Sequence, residues 1–66
     1  MIFINNKYTN WYNSLINKAQ NRIVLGYAEK HHIIPSALGG TNEKDNIVKL
    51  TPREHFICHL LLTKMT

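Results

Sequence analysis

Cysteine, acidic residues and long apolar runs are all scarce in this chain. Its 66 residues include one cysteine, Cys58, which excludes an internal disulfide and a zinc ribbon with four cysteine ligands. A single free cysteine is compatible with a reducing compartment. No apolar run exceeds four residues, so we expect no transmembrane span. The apolar start over Met1–Ile4 breaks too early into polar residues for a signal peptide, and we expect none.

Acidic side chains are outnumbered two to one. Eight lysines and arginines against four aspartates and glutamates give a net charge of +4, which favours polyanionic partners such as nucleic acid. The length fits a single small domain over residues 1–66. A core of this size is marginal, so we also expect stabilisation by a metal, a partner or more chain.

The first half of the chain predicts one helix, over residues 9–22. Thr9 or Asn10 is a suitable N-cap, and Gly26 is a suitable turn residue after the helix. Apolar and aromatic side chains recur there at steps of three and four residues, which indicates one buried face. That face is predicted to contain Tyr8, Trp11, Tyr12, Leu15, Ala19 and Ile23.

The second half predicts a strand, a loop, a strand and a helix within residues 27–64. The strands are expected over residues 27–34 and 47–50, with a loop over 35–46 that contains the Gly39-Gly40 turn. Thr51-Pro52-Arg53-Glu54 is a capping box with proline at the first helical position, so a helix should run from Pro52 to about Lys64. Its apolar side is predicted to contain Phe56, Ile57, Leu60 and Leu61.

All four histidines lie in this second half. His55 and His59 are one turn apart on the predicted helix, so both imidazoles can bind one cation. His31 and His32 are adjacent at a strand end and point to opposite sides, so only one of them can join the helical pair. The other is then free to activate water, which is the arrangement of a metal-assisted hydrolase. Each pair alone is also common on ordinary surfaces, and Cys58 is either a further ligand or, as we favour, a small core residue.

The motif that spans residues 29–59 resembles that of HNH endonucleases. The similarity is greatest to phage-encoded HNH endonucleases of the homing type, and the nuclease domains of DNase colicins carry a related motif. The matching segments are Glu29-Lys30-His31-His32-Ile33-Ile34-Pro35, Gly39-Gly40, Asn46-Ile47-Val48-Lys49-Leu50-Thr51-Pro52-Arg53-Glu54-His55 and His59.

This resemblance implies a small α+β ββα-metal (His-Me finger) fold, here with an additional N-terminal helix, and a metal-dependent DNA endonuclease. It implies that His32 is the general base that activates water, giving 5′-phosphate and 3′-hydroxyl products. It also implies roles for residues around the base and the metal. His31, His55 and His59 are implied as the metal ligands. Asn46 is implied to form a hydrogen bond across the loop that holds the backbone of the base in place. Glu29 is implied as an acidic residue near the site, and Arg53 as a residue that faces phosphate.

Three imidazoles differ from the aspartate and asparagine ligands of many phage HNH enzymes. They suit zinc, nickel, cobalt or manganese better than magnesium. The family resemblance further implies that the partner is double-stranded DNA, bound through its phosphate backbone, and that there is no membrane partner. If the protein is phage-encoded, it is expected in the cytoplasm of the host cell. A specific DNA interface usually buries on the order of 1,000 Å² or more of protein surface. The chain is therefore expected to be a fragment that lacks an additional DNA-binding region, a small nuclease of loose specificity, or a nuclease that takes its recognition from a partner or a dimer. Two alternatives remain open: a non-catalytic, metal-stabilised nucleic-acid-binding module and a colicin-like toxin domain.

Overall fold

Two helices pack against each other and against a two-stranded sheet in the computed structural model, which describes residues 3–66. Met1 and Ile2, the first residues of the expected apolar start, lie outside this range. The elements are α1 (Lys7–Gln20), β1 (Glu29–His32), β2 (Ile47–Leu50) and α2 (Pro52–Met65). The predicted α+β class is confirmed, and the order β1, loop, β2, α2 is compatible with a small ββα-metal fold.

Helix α1 begins two residues before the predicted start, because Asn6 is its N-cap. The Asn6 side-chain oxygen accepts a hydrogen bond from the Thr9 backbone nitrogen at 3.0 Å. Thr9, which we predicted as a cap, is instead buried inside the helix, and its hydroxyl donates to the carbonyl of Ile4. The helix ends at Gln20, and Gly26 takes a left-handed turn (φ +90°) in the irregular segment that follows.

The buried faces of both helices differ from the predicted ones. Trp11 and Ile23 are 55% and 88% exposed, because Trp11 lies at the edge of the α1 stripe and Ile23 lies beyond the helix end. On α2, Phe56 and Leu60 are also exposed. The side chains that the helices do bury face the other helix and the sheet. Together with two residues of β2 they form the core, which consists of Tyr12, Ile16, Ala19, Val48, Leu50, Cys58, Leu62 and Met65.

The strands pair antiparallel over four residues each, from Glu29 opposite Leu50 to His32 opposite Ile47. The first strand is shorter than the predicted 27–34, since the chain beyond His32 bonds to a single asparagine instead of to β2. Ile33 donates its backbone N–H to the Asn46 carbonyl, and Ile34 donates to the Asn46 side-chain oxygen, each at 2.9 Å.

The predicted capping box at the start of α2 is confirmed. The Thr51 hydroxyl accepts from the Glu54 backbone nitrogen at 3.2 Å, and the Glu54 carboxylate accepts from the Thr51 backbone nitrogen at 3.0 Å. The same carboxylate forms an ion pair with Arg22, which lowers the pKa of Glu54 to about 2, chiefly through the Arg22 hydrogen bond. This pair joins the chain after α1 to the first turn of α2. Across residues 3–66, neither helix has the length and apolar character needed to cross a membrane.

Candidate metal centre

Strand β1 sends its two histidines to opposite sides, as successive residues of a strand must. His31 faces the core and is 2% exposed, whereas His32 is only partly buried. The Nε2 atom of His32 lies 2.8 Å from the side-chain oxygen of the exposed loop residue Asn42. The two imidazoles therefore have different surroundings although they are adjacent in sequence.

Helix α2 brings two further histidines to the inner one. His55 and His59 flank the buried stripe that contains Cys58 and Leu62, so they emerge where the core meets solvent. Their Nε2 atoms lie 3.1 Å apart, and His31, His55 and His59 each offer a nitrogen within 4.8 Å of the others. Three nitrogens that converge in this way can hold a divalent cation. His32 does not belong to this cluster.

The cluster contains one neutral imidazole, and a second that is oriented by a carboxylate. Burial, followed by the nearby His55, His59 and His32, lowers the pKa of His31 to about 4, so His31 is neutral at neutral pH. The Glu29 carboxylate accepts a hydrogen bond from His55 Nδ1 at 2.9 Å, and the other ring nitrogen of His55, Nε2, faces His59. Hydrogen bonds from His55 and then from the Tyr27 hydroxyl hold the pKa of Glu29 below its ordinary value. A carboxylate behind a ligating histidine is a common feature of metal sites.

On its buried side, His31 contacts a tyrosine. The Tyr12 hydroxyl lies 2.7 Å from His31 Nε2 and donates to the backbone carbonyl of Ile33, also at 2.7 Å. Tyr12 is fully buried, and burial raises the pKa of its hydroxyl well above the ordinary value. Its ring also packs edge-on against that of Phe3, so the hydroxyl is held in place.

Asn46 ties the loop between the strands to the end of β1. Beyond the bond from Ile34, its amide nitrogen donates to the carbonyls of Thr41 at 2.8 Å and Ile34 at 3.1 Å. A Cβ on Gly40 would lie 1.7 Å from the Ile34 carbonyl oxygen, so only glycine permits this close packing. The segment directly after His32 is thus fixed by a buried side chain.

A cavity on the open side of the cluster reaches the fourth histidine, His32. The residues that line it are Lys30, His31, His32, Pro35, Ser36, His55, His59 and Leu62. Arg53 is exposed and is not among the residues of the described range 3–66 that line this cavity.

Cys58 is fully buried in the core, where burial raises the pKa of its thiol to about 11. The expectation that Cys58 is a core residue is confirmed.

Two contacts of the site escaped the sequence reasoning. Tyr12 is predicted only as part of the buried face of the first helix, and its separation of 19 residues from His31 gives no signal of contact. Asn42 lies within the predicted loop over residues 35–46, and a polar residue in a glycine-containing loop gives no indication of which side chain it contacts.

Known proteins match most of the chain. It is 52% identical over 59 residues to "Probable mobile endonuclease E" of Enterobacteria phage T4, a match that covers 88% of this chain and 42% of that protein. It is also 52% identical over 63 residues to "Probable mobile endonuclease B" of the same phage, covering 88% of this chain and 24% of that protein. Over the matched residues, the chain is homologous to phage T4 proteins that are named as probable mobile endonucleases. The resemblance to phage enzymes of the homing type is thereby confirmed.

The mobile endonucleases are longer than this chain, which spans less than half the length of either one. A more distant relative is "Uncharacterized 38.5 kDa protein in psbA intron 1" of Chlamydomonas moewusii, 44% identical over 61 residues that cover 91% of this chain and 18% of that protein. No protein-family model matches the chain, and no solved structure matches it significantly.

Proposed function

We propose that residues 1–66 form one HNH-type nuclease domain that hydrolyses phosphodiester bonds of DNA with the help of a divalent cation. The observation that carries this proposal is the cluster of His31, His55 and His59 with His32 on the rim of the same cavity. A purely structural metal site has no use for the fourth histidine. The names of the homologous phage proteins support nuclease activity independently.

His31, His55 and His59 would hold the cation, and their imidazole nitrogens favour zinc, nickel, cobalt or manganese over magnesium. When bound, the cation supplies positive charge that stabilises the phosphate oxygens in the transition state. Glu29 orients His55 from behind through its bond to Nδ1.

His32 acts as the general base. Asn42 Oδ1 accepts a hydrogen bond from His32 Nε2, which leaves Nδ1 to take the proton of the attacking water. Asn46 acts indirectly, since it holds the backbone immediately after His32. Arg53, which is exposed in the first turn of α2 and does not line the cavity within residues 3–66, would contact a phosphate of the DNA rather than the cation.

The substrate we propose is double-stranded DNA, bound through its phosphates. Lys30 and Lys49 lie directly opposite each other on the exposed side of the sheet, and Lys30 also lines the cavity of the histidines. Like charges in this arrangement repel, and a polyanion would relieve the repulsion. We expect a second copy or an additional DNA-binding region to contribute sequence recognition, in the cytoplasm of the host cell if the protein is phage-encoded.

Conversion of supercoiled plasmid tests this function. Wild type and His32→Ala are compared with EDTA and with Mg²⁺, Mn²⁺, Co²⁺, Ni²⁺ or Zn²⁺. Loss of a general base is expected to slow cleavage by about 10²- to 10⁴-fold, while metal binding is retained. A folded, metal-bound wild type that cleaves with none of these ions would favour the non-catalytic binding module. Cleavage that persists in His32→Ala would contradict the role of His32.

A further inference from the structure

The buried contact between Tyr12 and His31 determines which ring nitrogen of His31 carries a proton. The Tyr12 hydroxyl lies 2.7 Å from two atoms, His31 Nε2 and the carbonyl oxygen of Ile33. A hydroxyl has one proton to donate, and a carbonyl oxygen can only accept. If Tyr12 donated to His31, two oxygens would face each other at hydrogen-bond distance with no proton between them. Tyr12 must therefore donate to Ile33 and accept from His31.

This reasoning makes His31 Nε2 a donor. A neutral imidazole carries one N–H, so the lone pair of His31 is on Nδ1. The contact is enclosed, since Tyr12 is fully buried and His31 is 2% exposed, and water is not available to satisfy the alternative arrangement. The proton is thus fixed by the fold before any cation arrives.

We infer that Tyr12 is a positioning residue that makes Nδ1 the metal-binding nitrogen of His31. This inference rests on the proposed metal site. It gives His31 and His55 opposite assignments: Tyr12 holds Nε2 of His31, whereas Glu29 holds Nδ1 of His55 and leaves Nε2 for the cation. Two of the three ligands then have their tautomers set by partners outside the ligand set.

Tyr12 also links α1 to the site. Helix α1 supplies none of the three clustered histidines, yet Tyr12 connects it to both ends of the site: to His31 and, through Ile33, to the chain after His32. Loss of the hydroxyl should free the His31 ring to adopt the other tautomer or to rotate. Changes to such partners of metal ligands typically lower metal affinity by about 10- to 100-fold.

Long-range ¹⁵N NMR of the metal-free chain tests the proton assignment directly. We expect the His31 ring to show a protonated Nε2 and an unprotonated Nδ1. In the Zn²⁺-loaded chain, we expect the Nδ1 resonance to shift as the bound nitrogen. A protonated Nδ1 in the metal-free wild type, or zinc bound through Nε2, would overturn the inference.

Tyr12→Phe tests the role of the hydroxyl, and Tyr8→Phe is the matched control. Tyr8 is on the same helix, and its hydroxyl forms no side-chain hydrogen bond within residues 3–66. We expect Tyr12→Phe to lower Zn²⁺ affinity by about 10-fold and to populate the other tautomer of His31, with Tyr8→Phe matching wild type in both. A folded Tyr12→Phe with wild-type affinity and tautomer would overturn the inference.

The proposed function fails in a different way. A wild type that binds no Zn²⁺, Co²⁺ or Ni²⁺ would overturn the metal site and, with it, the role assigned to Tyr12. The metal-free NMR spectrum would still report whether Tyr12 fixes the tautomer. If Tyr12→Phe does not fold, the two wild-type spectra decide the inference alone.

Discussion

The candidate site, which consists of the histidine cluster and its neighbours, has two sides that differ in how firmly they are held. The closed side, formed by Tyr12, His31 and Asn46, is buried and is held by hydrogen bonds to other protein atoms. The open side, formed by His32, His55 and His59, faces a cavity and solvent. The difference indicates a division of labour in which the closed side fixes the position of one ligand and of the base, and the open side receives the cation and the substrate. Changes on the open side should therefore alter binding and cleavage without altering stability.

The largest effect is expected from removal of an open-side ligand. His59→Ala should weaken Zn²⁺ binding by more than about 100-fold, since it removes a ligand rather than the partner of one. His59 is exposed, so stability of the metal-free chain should change by less than about 0.5 kcal/mol. Calorimetric titration and denaturant unfolding measure the two effects. His32→Ala is the matched control, and equal zinc affinities for both variants would contradict the ligand assignment.

Asn46→Ala should have the converse effect on the closed side. It leaves the backbone groups of Ile34 and Thr41 without their partner, which should cost about 2 kcal/mol of unfolding free energy. Cleavage should fall more than metal affinity, since the backbone after His32 loses its anchor. Asn42→Ala, in the exposed loop, is the control and should leave stability unchanged. If Asn46→Ala and Asn42→Ala had the same unfolding free energy, the proposed difference in stability between the closed side and the open side would be wrong.

Glu54→Gln tests how much the ion pair with Arg22 and the capping box of α2 contribute to stability, at a position away from the two sides of the site. Loss of the Arg22 ion pair and weakening of the capping box should cost about 1 kcal/mol at pH 7. Because the pKa of Glu54 falls from 4.5 to about 2 on folding, the carboxylate stabilises the fold above pH 4.5, and this stabilisation is lost as the pH falls toward 2. The unfolding free energies of wild type and variant, measured in urea, should therefore become equal as the pH falls toward 2. A constant difference from pH 7 to pH 2 would contradict this explanation.

The smallest effect is expected on the exposed side of the sheet. Replacement of both Lys30 and Lys49 by glutamine should weaken DNA binding only a few-fold at about 0.5 M salt, and more as the salt concentration falls. The slope of log affinity against log salt should fall by roughly 2, in proportion to the two charges removed. Lys18→Gln, on the exposed side of α1, is a control for loss of charge alone. An unchanged slope in the double variant would exclude these lysines from the phosphate interface.

Local chemistry explains which parts of the fold were predictable. The capping box at Thr51 and Glu54 and the loop around Gly39 are encoded within a few residues, and both were predicted. The start of α1 was predicted wrongly because Asn6 and Thr9 are both good caps. Distant contacts fix it instead, including a bond from the Asn6 side chain to the Lys64 carbonyl. Nothing local distinguishes these two candidates.

The same limit applies to the site. The four-residue spacing on α2 and the alternation on β1 indicated which histidines could converge, because both follow from regular geometry. The buried face of α2 was harder to predict, since apolar residues occur around much of the helix and Cys58 and Met65 complete the stripe that is buried. Tyr12 could not be assigned to His31, because only tertiary packing brings them together.

X-ray absorption of the zinc-loaded chain tests the central claim, that His31, His55 and His59 bind the cation. The account predicts imidazole nitrogens from three histidines at about 2.0–2.1 Å and no sulfur ligand, with one histidine fewer in His59→Ala. A zinc coordination shell that contains the Cys58 sulfur at about 2.3 Å, or one that is the same in His59→Ala as in wild type, would contradict this ligand assignment.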